Sequence, residues 1–176
     1  YHFLDMQSGH RYEPWVELSS VDTALLMSGV LFAQSYYDRD DPREKEIRDI
    51  ADELYKRVDW AWLQKRKPLI SMGWYPESGF IQHDWVGYNE AMMLYILAMA
   101  SPTHPVDPDA WQVWTRTYDL SWGVFEGQEY LSGAPQFWHH YAHVWIDFRG
   151  IRDEYMRNRG IDYFENSRRA TLAQRA

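Results

Sequence analysis

Residues 19–36 read SSVDTALLMSGVLFAQSY, and this stretch decides the fold class. Ser19 and Ser20 are typical residues at a helix start, and the apolar residues that follow recur on most sides of a helix, not along one stripe. The stretch therefore predicts a helix from about Ser20 to Tyr36. Because it is apolar nearly all round, this helix is expected at the centre of a structure, with other elements packed around it.

The residues after this helix predict an amphipathic partner. Asp41 is in position to cap the N-terminus and Pro42 occupies the first helical position, where its missing N–H costs nothing. One stripe at helical spacing is apolar and the other face is charged; the stripe consists of Ile47, Ile50, Ala51, Leu54, Tyr55 and Val58. An apolar inner helix joined by a short Asp-rich turn to an amphipathic outer helix predicts an αα-hairpin.

The same alternation of inner and outer helices continues along the chain. Gly- and Pro-punctuated segments at 68–87 and 123–133 separate the helices and are expected to be loops or short strands. Further helices are expected at about residues 89–100, from 107–108 onward, and at 138–148, 152–158 and 162–174. The pattern predicts an all-α fold, an α/α toroid with long loops and short β segments.

Composition excludes several classes of partner. The 26 acidic residues outnumber the 18 basic ones and give a formal charge of -8, so no basic stripe is available for nucleic acid or an anionic membrane. The chain has no cysteine, which excludes disulfide and zinc-thiolate frameworks. No run reaches the roughly 18 apolar residues that a membrane span needs.

Aromatic residues form 17% of the chain, including 10 Trp and 13 Tyr, although the mean hydropathy is only −0.60. Trp and Tyr combine a flat apolar face with a polar rim, so they suit surfaces that are wet and yet able to stack. Sugars are ligands of this kind, because their axial C–H faces pack on rings while their hydroxyls need hydrogen bonds. The alternative for each individual ring is that it fills the core.

Three carboxylates at the starts of the predicted inner helices are candidates for catalysis. Glu17 and Asp22 flank the start of the first inner helix, and Glu90 lies at the start of the second. Glycoside hydrolysis needs one carboxyl group that protonates the leaving oxygen and one that activates water or attacks carbon. Acids are also favoured at helix N-termini for capping alone, and Asp22 stands three residues after Ser19 as in a capping box.

Loop aromatics are candidates for sugar stacking. Trp74 and Tyr75 lie on a segment flanked by Gly73 and Gly79, and Trp85 follows in His83-Asp84-Trp85. Side chains on loops are less readily explained as core than those on helices. The alternative is general structural packing.

The third predicted inner helix carries a further candidate group. His139, His143 and Asp147 follow one another at four-residue spacing and are therefore expected on one helical face. They could bind a metal, but a Glu between two His, as in zinc proteases, is missing, and His and Trp also serve sugar clefts as hydroxyl donors. Arg149, at the expected helix end, could grip a nearby carboxylate.

Five ordered stretches of the chain resemble the bacterial glucoamylase-like proteins that include endo-β-1,2-glucanases, glycoside hydrolase family 144. These stretches are YHFLDM at 1–6, ELSSVDTALL at 17–26, GYNEA at 87–91, HVWIDFRGI at 143–151 and DYFENSRRAT at 162–171. They are dispersed over essentially the whole chain, yet they cover less than half of that family's catalytic domain. Residues 1–176 are therefore expected to form the central part of one catalytic domain, with the remainder of that domain as a partner.

The resemblance implies an (α/α)6 toroid, a six-hairpin glycosidase-like barrel of which this chain is an incomplete part. It also implies hydrolysis of β-1,2-glucan with inversion, and neither metal nor organic cofactor. By motif position, Glu90 is the expected general acid, with Glu17 and Asp22 as acids of the cleft. Substrate contacts are expected from the aromatic, histidine and arginine residues of the motifs and loops: Trp74, Tyr75, Trp85, Tyr88, His139, His143, Trp145 and Arg149. The expected activity is an endo-acting β-glucan hydrolase, periplasmic or secreted if a signal peptide precedes it.

Two other hypotheses remain open from the sequence. The same aromatics could form the docking surface of a glucan-binding or structural α-toroid without catalysis. Alternatively, a metal-dependent enzyme could be centred on His139, His143 and Asp147.

Overall fold

The computed structural model describes residues 1–133 and 135–176 as two compact units. The first unit comprises Tyr1–Trp85 and Met93–Val113, and the second comprises Val86–Met92 and Trp114–Ala176. Helices dominate and the strands are short, so the predicted mainly helical class with short β segments is confirmed.

The predicted αα-hairpin is confirmed in the first unit. Helix α1 runs over Ser20–Tyr36 and helix α2 over Pro42–Arg57, and the two pack against each other. The side chain of Asp41 accepts hydrogen bonds from the main-chain N–H groups of Arg43 and Glu44 at 2.8 and 3.4 Å, which satisfies donors that the helix itself leaves unpaired. Local capping signals thus fix where both helices begin.

Three short antiparallel strands form a sheet at the start of α1. Strand β1 covers Leu18–Ser19, β2 covers Gly73–Tyr75 and β3 covers Gly79–Phe80, in the order β1-β2-β3. Leu18 pairs with Trp74, and Trp74 pairs in turn with Phe80. The sheet therefore ties the Gly-punctuated loop to the first turn of α1.

An ion pair anchors the same loop further along. The guanidinium of Arg66 donates to both carboxylate oxygens of Asp84, at 2.8 and 2.6 Å, and to the carbonyl of Ile81 at 2.6 Å. The pKa of Arg66 is raised, chiefly by its hydrogen bond to Asp84. Two parallel N–H···O bonds fix geometry as well as charge, so Asp84 is held in a defined position against Arg66.

Helix α3 covers Met92–Ala100 and helix α4 covers Ala110–Thr115. The hydroxyl of Tyr55 on α2 donates to the carbonyl of Leu97 on α3 at 2.7 Å, which joins the two helices within the first unit. Large side chains with almost no exposure fill the core of this unit: Val16, Trp60, Ile70, Leu94 and Tyr95.

The second unit combines short helices with a β-hairpin. Helix α5 covers Tyr118–Ser121, strands β4 and β5 cover Trp122–Phe125 and Gln128–Leu131, and helices α6 and α7 cover Glu154–Asn158 and Tyr163–Arg175. The two loop residues of the hairpin, 126 and 127, both have positive φ, 46° and 69°. A two-residue turn of this kind matches the twist of the strands it joins.

A side-chain amide attaches α7 to the hairpin. Oδ1 of Asn166 accepts from the N–H of Leu131 at 2.7 Å, and its Nδ2 donates to the carbonyl of Leu131 at 3.2 Å. Both residues are fully buried. The amide thereby bonds to the edge of β5 as the main chain of a further strand would. The buried N–H and C=O of Leu131 are both hydrogen-bonded as a result.

The predicted inner helix at 138–148 is wrong. Two 3-10 turns, Gln136–His139 and Ala142–Val144, occupy the first part of this region, and residues 146–148 are not helical. The segment is rich in aromatic and β-branched residues, which lose side-chain freedom in a helix, and neither turn has a side-chain cap. His139 and Phe148 are buried, at 1% and 2% exposure. Their packing decides the backbone conformation here, although the apolar spacing alone would fit a helix.

In the described part of the chain, every helix is too short or too polar to cross a bilayer.

Candidate functional site

The residues predicted for the site fall in both units. The first unit holds Glu17, Asp22, Trp74, Tyr75 and Trp85, and the second holds Tyr88, Glu90, His139, His143, Trp145 and Arg149.

Glu17 and Asp22 converge on one imidazole. Nδ1 of His2 lies 2.9 Å from Oε1 of Glu17 and 3.8 Å from Oδ2 of Asp22. The main chain adds to this arrangement, because the N–H of His2 donates to the carbonyl of Glu17 at 3.0 Å. The side chain of Glu17 is 20% exposed and that of Asp22 37%, so both carboxylates reach solvent. The structure thus brings together two acids that the sequence singled out.

Asp22 also takes part in capping helix α1, as the sequence predicts. Its main-chain N–H donates to Oγ of Ser19, the N-cap of α1, at 3.2 Å. This bond uses the main chain of Asp22 and leaves its carboxylate turned to His2. Capping and a role in a site are therefore compatible at this position.

Gly73 allows strand β2 to approach Glu17 closely. A Cβ at this position would lie 2.8 Å from the carbonyl oxygen of Leu18 and 3.0 Å from Cγ of Glu17. The first of these atoms belongs to the main chain and cannot turn away. Glycine is therefore required for the pairing that sets Trp74 opposite Leu18, next in sequence to Glu17.

The predicted loop aromatics differ in their surroundings. Trp74 contacts the ring of Trp62 at a centroid distance of 5.6 Å, and the guanidinium of Arg11 lies 6.0 Å from the ring centre of Tyr75. Nε1 of Trp85 donates to Oγ of Ser20 at 3.0 Å, so the polar N–H of this ring is hydrogen-bonded within the protein. Trp74 and Tyr75 are half-buried and keep part of each ring at the surface.

Trp62 is a further candidate that the sequence prediction missed. Its side chain is 43% exposed, and its ring contacts Phe80 at 4.7 Å as well as Trp74. The sequence does hold a signal for it, because Asp59 stands three residues earlier, just after α2 ends, and accepts from the N–H of Trp62 at 2.8 Å. A side-chain carboxylate that accepts from a main-chain N–H a few residues later is typical of turns, and turns lie mostly at the surface.

A cavity of about 260 Å³ lies beside Trp62. Its walls come from β1, the first turn of α1 and the segment that follows α2. The lining residues are Leu18, Thr23, Val58, Asp59, Trp62 and Leu63, together with Tyr1.

In the second unit, Glu90 lies in the turn directly before α3. The predicted start of this helix at Asn89 is three residues early, since α3 begins at Met92. The side chain of Asn89 shapes the turn: Oδ1 accepts from the N–H of Ala91 at 3.0 Å and Nδ2 donates to the carbonyl of Val86 at 3.1 Å. Glu90 is half-buried there, so its carboxylate is held on a short, hydrogen-bonded turn.

Tyr88 and His139 lie in the interior of the second unit, with ring centroids 5.0 Å apart. They are 6% and 1% exposed. Burial raises the pKa of Tyr88 to about 12 and lowers the pKa of His139 to about 4, because an interior disfavours the charged form of either group. In this arrangement both pack against protein, and their contact with a sugar stays a prediction.

The expected common helical face of His139, His143 and Asp147 is wrong, because residues 139–147 form no continuous helix. Among residues 1–133 and 135–176, no three His, Asp or Glu side chains group closely enough to hold a metal ion. Nε2 of His143 instead pairs with Oγ of Ser167 at 3.0 Å, and burial lowers the pKa of His143.

The remaining two predicted contacts, Trp145 and Arg149, follow this histidine. Trp145 is half-buried and ends a 3-10 turn. Nε of the exposed Arg149 donates to Oδ1 of Asp147 at 2.8 Å, which lowers the pKa of Asp147. Arg149 therefore grips a carboxylate, as expected, and that carboxylate is its near neighbour in sequence.

The family profile named Glycoamylase, described as "Putative glucoamylase", matches residues 82–176. Among curated proteins, the chain is 29% identical to an exo beta-1,2-glucooligosaccharide sophorohydrolase (non-reducing end) of Parabacteroides distasonis. The match covers 88% of this chain and 24% of the relative. The chain thus spans about a quarter of the length of the curated relative that it matches.

Solved structures share the fold over nearly the whole chain. A glucoamylase-type protein from Bacteroides caccae superposes with a TM-score of 0.83 at 32% identity, covering 94% of this chain and 42% of that one. An endo-beta-1,2-glucanase from Chitinophaga pinensis, solved with sophorotriose and glucose, gives a TM-score of 0.82 at 25% identity with the same coverage.

Proposed function

This chain belongs to the Glycoamylase family, and we propose that it acts as a glycoside hydrolase on β-1,2-linked glucan. The observation that carries the proposal is the convergence of the Glu17 and Asp22 carboxylates on His2, together with the half-buried ring of Trp74, a residue that pairs with Leu18 next to Glu17. Hydrolysis of a glycosidic bond needs acids that reach solvent, and a neutral sugar ring needs an aromatic surface. The similarity to a sophorohydrolase and to an endo-β-1,2-glucanase supports the linkage.

In the proposed reaction, Glu90 protonates the leaving glycosidic oxygen. Glu17 or Asp22 takes a proton from the water that attacks the anomeric carbon, so the product is released with inverted configuration. These roles follow from the motifs in which the three acids stand. We further propose that α1 and α2 form one hairpin of an (α/α)6 toroid, and that no metal takes part.

The test is reducing-sugar release from linear β-1,2-glucan by the protein expressed from its complete gene. Glu90→Gln is expected to lower kcat by about a thousandfold or more, because general acid catalysis contributes about 10²- to 10⁴-fold and the proton of a carboxylic acid is lost. Glu46→Gln, an exposed acid on α2, is the matched control and keeps wild-type turnover. Wild-type turnover in Glu90→Gln would overturn the assigned role.

Product analysis separates the finer alternatives. NMR of the first product is expected to show the α-anomer, as inversion of a β-linkage requires. A ladder of oligosaccharides early in the reaction supports endo-action. Release of a single disaccharide would favour the second candidate, an exo-acting hydrolase, to which the 29% identity with the sophorohydrolase points. EDTA is expected to leave the rate unchanged; loss of activity would revive a metal-dependent mechanism.

A glucan-binding protein without catalysis predicts a different result. Binding of β-1,2-glucan with no product after long incubation would support it, and turnover excludes it.

A further inference from the structure

We propose that the cavity beside Trp62 is a subsite for one neutral glucosyl ring of the glucan chain, an inference that rests on the proposed function. The cavity measures about 260 Å³, just below the range of about 300–1,000 Å³ in which drug-sized ligands bind. Its size suits one sugar ring, with the rest of the chain continuing outside.

Trp62 supplies the stacking surface of this subsite. Its ring contacts the rings of Trp74 and Phe80, at centroid distances of 5.6 and 4.7 Å, and Trp62 is nevertheless 43% exposed. Its main chain is fixed as well, since its N–H donates to Asp59 at 2.8 Å. A large apolar face presented in a fixed orientation loses little conformational entropy when a ring packs on it.

Two polar side chains that line the cavity, those of Asp59 and Thr23, offer hydrogen-bond acceptors, which sugar hydroxyls need. Asp59 uses Oδ1 for the N–H of Trp62 and makes no further hydrogen bond to the described residues, so Oδ2 remains available. The hydroxyl of Thr23 donates to the carbonyl of Ser19 at 2.7 Å, so its lone pairs remain free to accept. An anionic ligand would be repelled by Asp59, whereas a neutral polyol can donate to both groups.

The cavity adjoins the acids of the first unit. Leu18 and Thr23, which line it, directly follow Glu17 and Asp22 in sequence. Consecutive Cα atoms are only about 3.8 Å apart, so a ring in the cavity lies next to the segment that carries both carboxylates. A glucan chain running along β1 would thus place one ring on Trp62 and a neighbouring ring near the acids.

The test compares Trp62→Ala with Trp15→Ala in the protein expressed from its complete gene. Trp15 is 62% exposed, lies in the same unit and does not line the cavity, so its variant is the matched control. We expect Trp62→Ala to raise KM for β-1,2-glucan about tenfold with kcat within about twofold, as loss of ground-state binding does. Trp62→Phe keeps an aromatic ring and should raise KM about threefold. Thermal unfolding checks that each variant is folded.

Calorimetric titration with a β-1,2-glucooligosaccharide, in wild type and in both Trp62 variants, separates the subsite from the hydrolytic activity. Hydrolysis with equal KM and Kd in wild type and both Trp62 variants would overturn the subsite and leave the function intact. Oligosaccharide binding that Trp62→Ala weakens, in a protein without turnover, would support the subsite and overturn the hydrolase. If the wild-type protein neither binds nor cleaves the glucan, both proposals are wrong. If Trp62→Ala does not fold, the KM of Trp62→Phe decides: an unchanged value overturns the subsite.

Discussion

His2 binds Glu17 twice, through Nδ1 to the carboxylate at 2.9 Å and through the main-chain N–H to the carbonyl at 3.0 Å. The second bond fixes where the imidazole stands, and the first fixes one rotamer of the carboxylate. Residue 2 is thereby attached to the residue that precedes β1. Glu17 is positioned by a residue fifteen places earlier in the sequence, so its orientation depends on the fold of residues 1–17.

We expect His2→Phe to lower kcat/KM on β-1,2-glucan about tenfold, because Glu17 loses the partner that orients it. Hydrogen bonds to charged groups contribute about 1.5–3 kcal/mol, and the partial exposure of His2 places this one near the lower end. His2→Gln keeps a donor and should recover most of the loss, which a merely structural role would not explain. His10→Phe, at an exposed position, is the control. Wild-type kcat/KM in His2→Phe would show that Glu17 does not need this contact.

Gly73→Ala should destabilise the protein by about 1–3 kcal/mol, since its new Cβ would meet the carbonyl of Leu18 at 2.8 Å. The contrasting variant is Gly29→Ala within α1, where nothing lies within 4 Å of an added Cβ. That substitution should stabilise by about 0.5–1 kcal/mol, because alanine loses less backbone entropy in a helix. Urea denaturation measures both. Equal effects of the two substitutions would contradict the close approach of β2.

Asn166→Ala is expected to destabilise the protein by about 2–4 kcal/mol, because it leaves a buried donor and a buried acceptor of Leu131 unpaired. Asn166→Asp still accepts from Leu131 but sets a carboxylate against its carbonyl, so its penalty should be larger at neutral than at acidic pH. Gln174→Ala, an exposed position on the same helix, serves as the control for loss of an amide. A loss below about 0.5 kcal/mol in Asn166→Ala would mean that water replaces the amide.

Burial lowers the pKa of His139 from its usual 6.5 to about 4, which makes stability depend on pH. Between these values the unfolded chain binds a proton that the folded chain does not, so stability falls as the pH decreases from about 6.5 towards 4. From pH 7 to pH 5 this contribution is about 2 kcal/mol. His139→Leu should show a pH dependence that is weaker by that amount.

Urea denaturation of wild type and His139→Leu at both pH values measures this difference. Leu131→Met, a volume-conserving change in the same core, is the control and keeps the wild-type pH dependence. The same pH dependence in His139→Leu as in wild type would show that another group is responsible.

The sequence predicts a helix correctly where capping residues mark the start of that helix. Ser19 and Asp41 cap α1 and α2 where the sequence predicts. Because the turn that joins the two helices is short, they pack as an antiparallel hairpin. The short helices α6 and α7 likewise follow Asp153 and Asp162, whose side chains accept from the third residue beyond each. Capping involves residues within one turn, so a sequence window of that length contains the whole interaction.

The conformation of residues 138–148 could not be predicted from local signals. Their apolar periodicity fits a helix, but the segment lacks a cap and its residues have low helix propensity, so the local preference is weak. Contacts of His139 with Tyr88 and Tyr130 and the burial of Phe148 decide its course. These partners stand up to 51 residues away in sequence, beyond the reach of any local pattern.

The sequence by itself determined the helical class, the first hairpin, the family motifs and the identity of the candidate acids, because each depends on residues that are neighbours along the chain. Only the tertiary structure decided that His2 joins Glu17 to Asp22, that Gly73 brings β2 against Glu17, and that Trp62 stands exposed beside a ring-sized cavity. The pairs His2–Glu17, Glu17–Gly73 and Thr23–Trp62 are 15 or more positions apart in sequence, so only the packing of the folded chain brings them together.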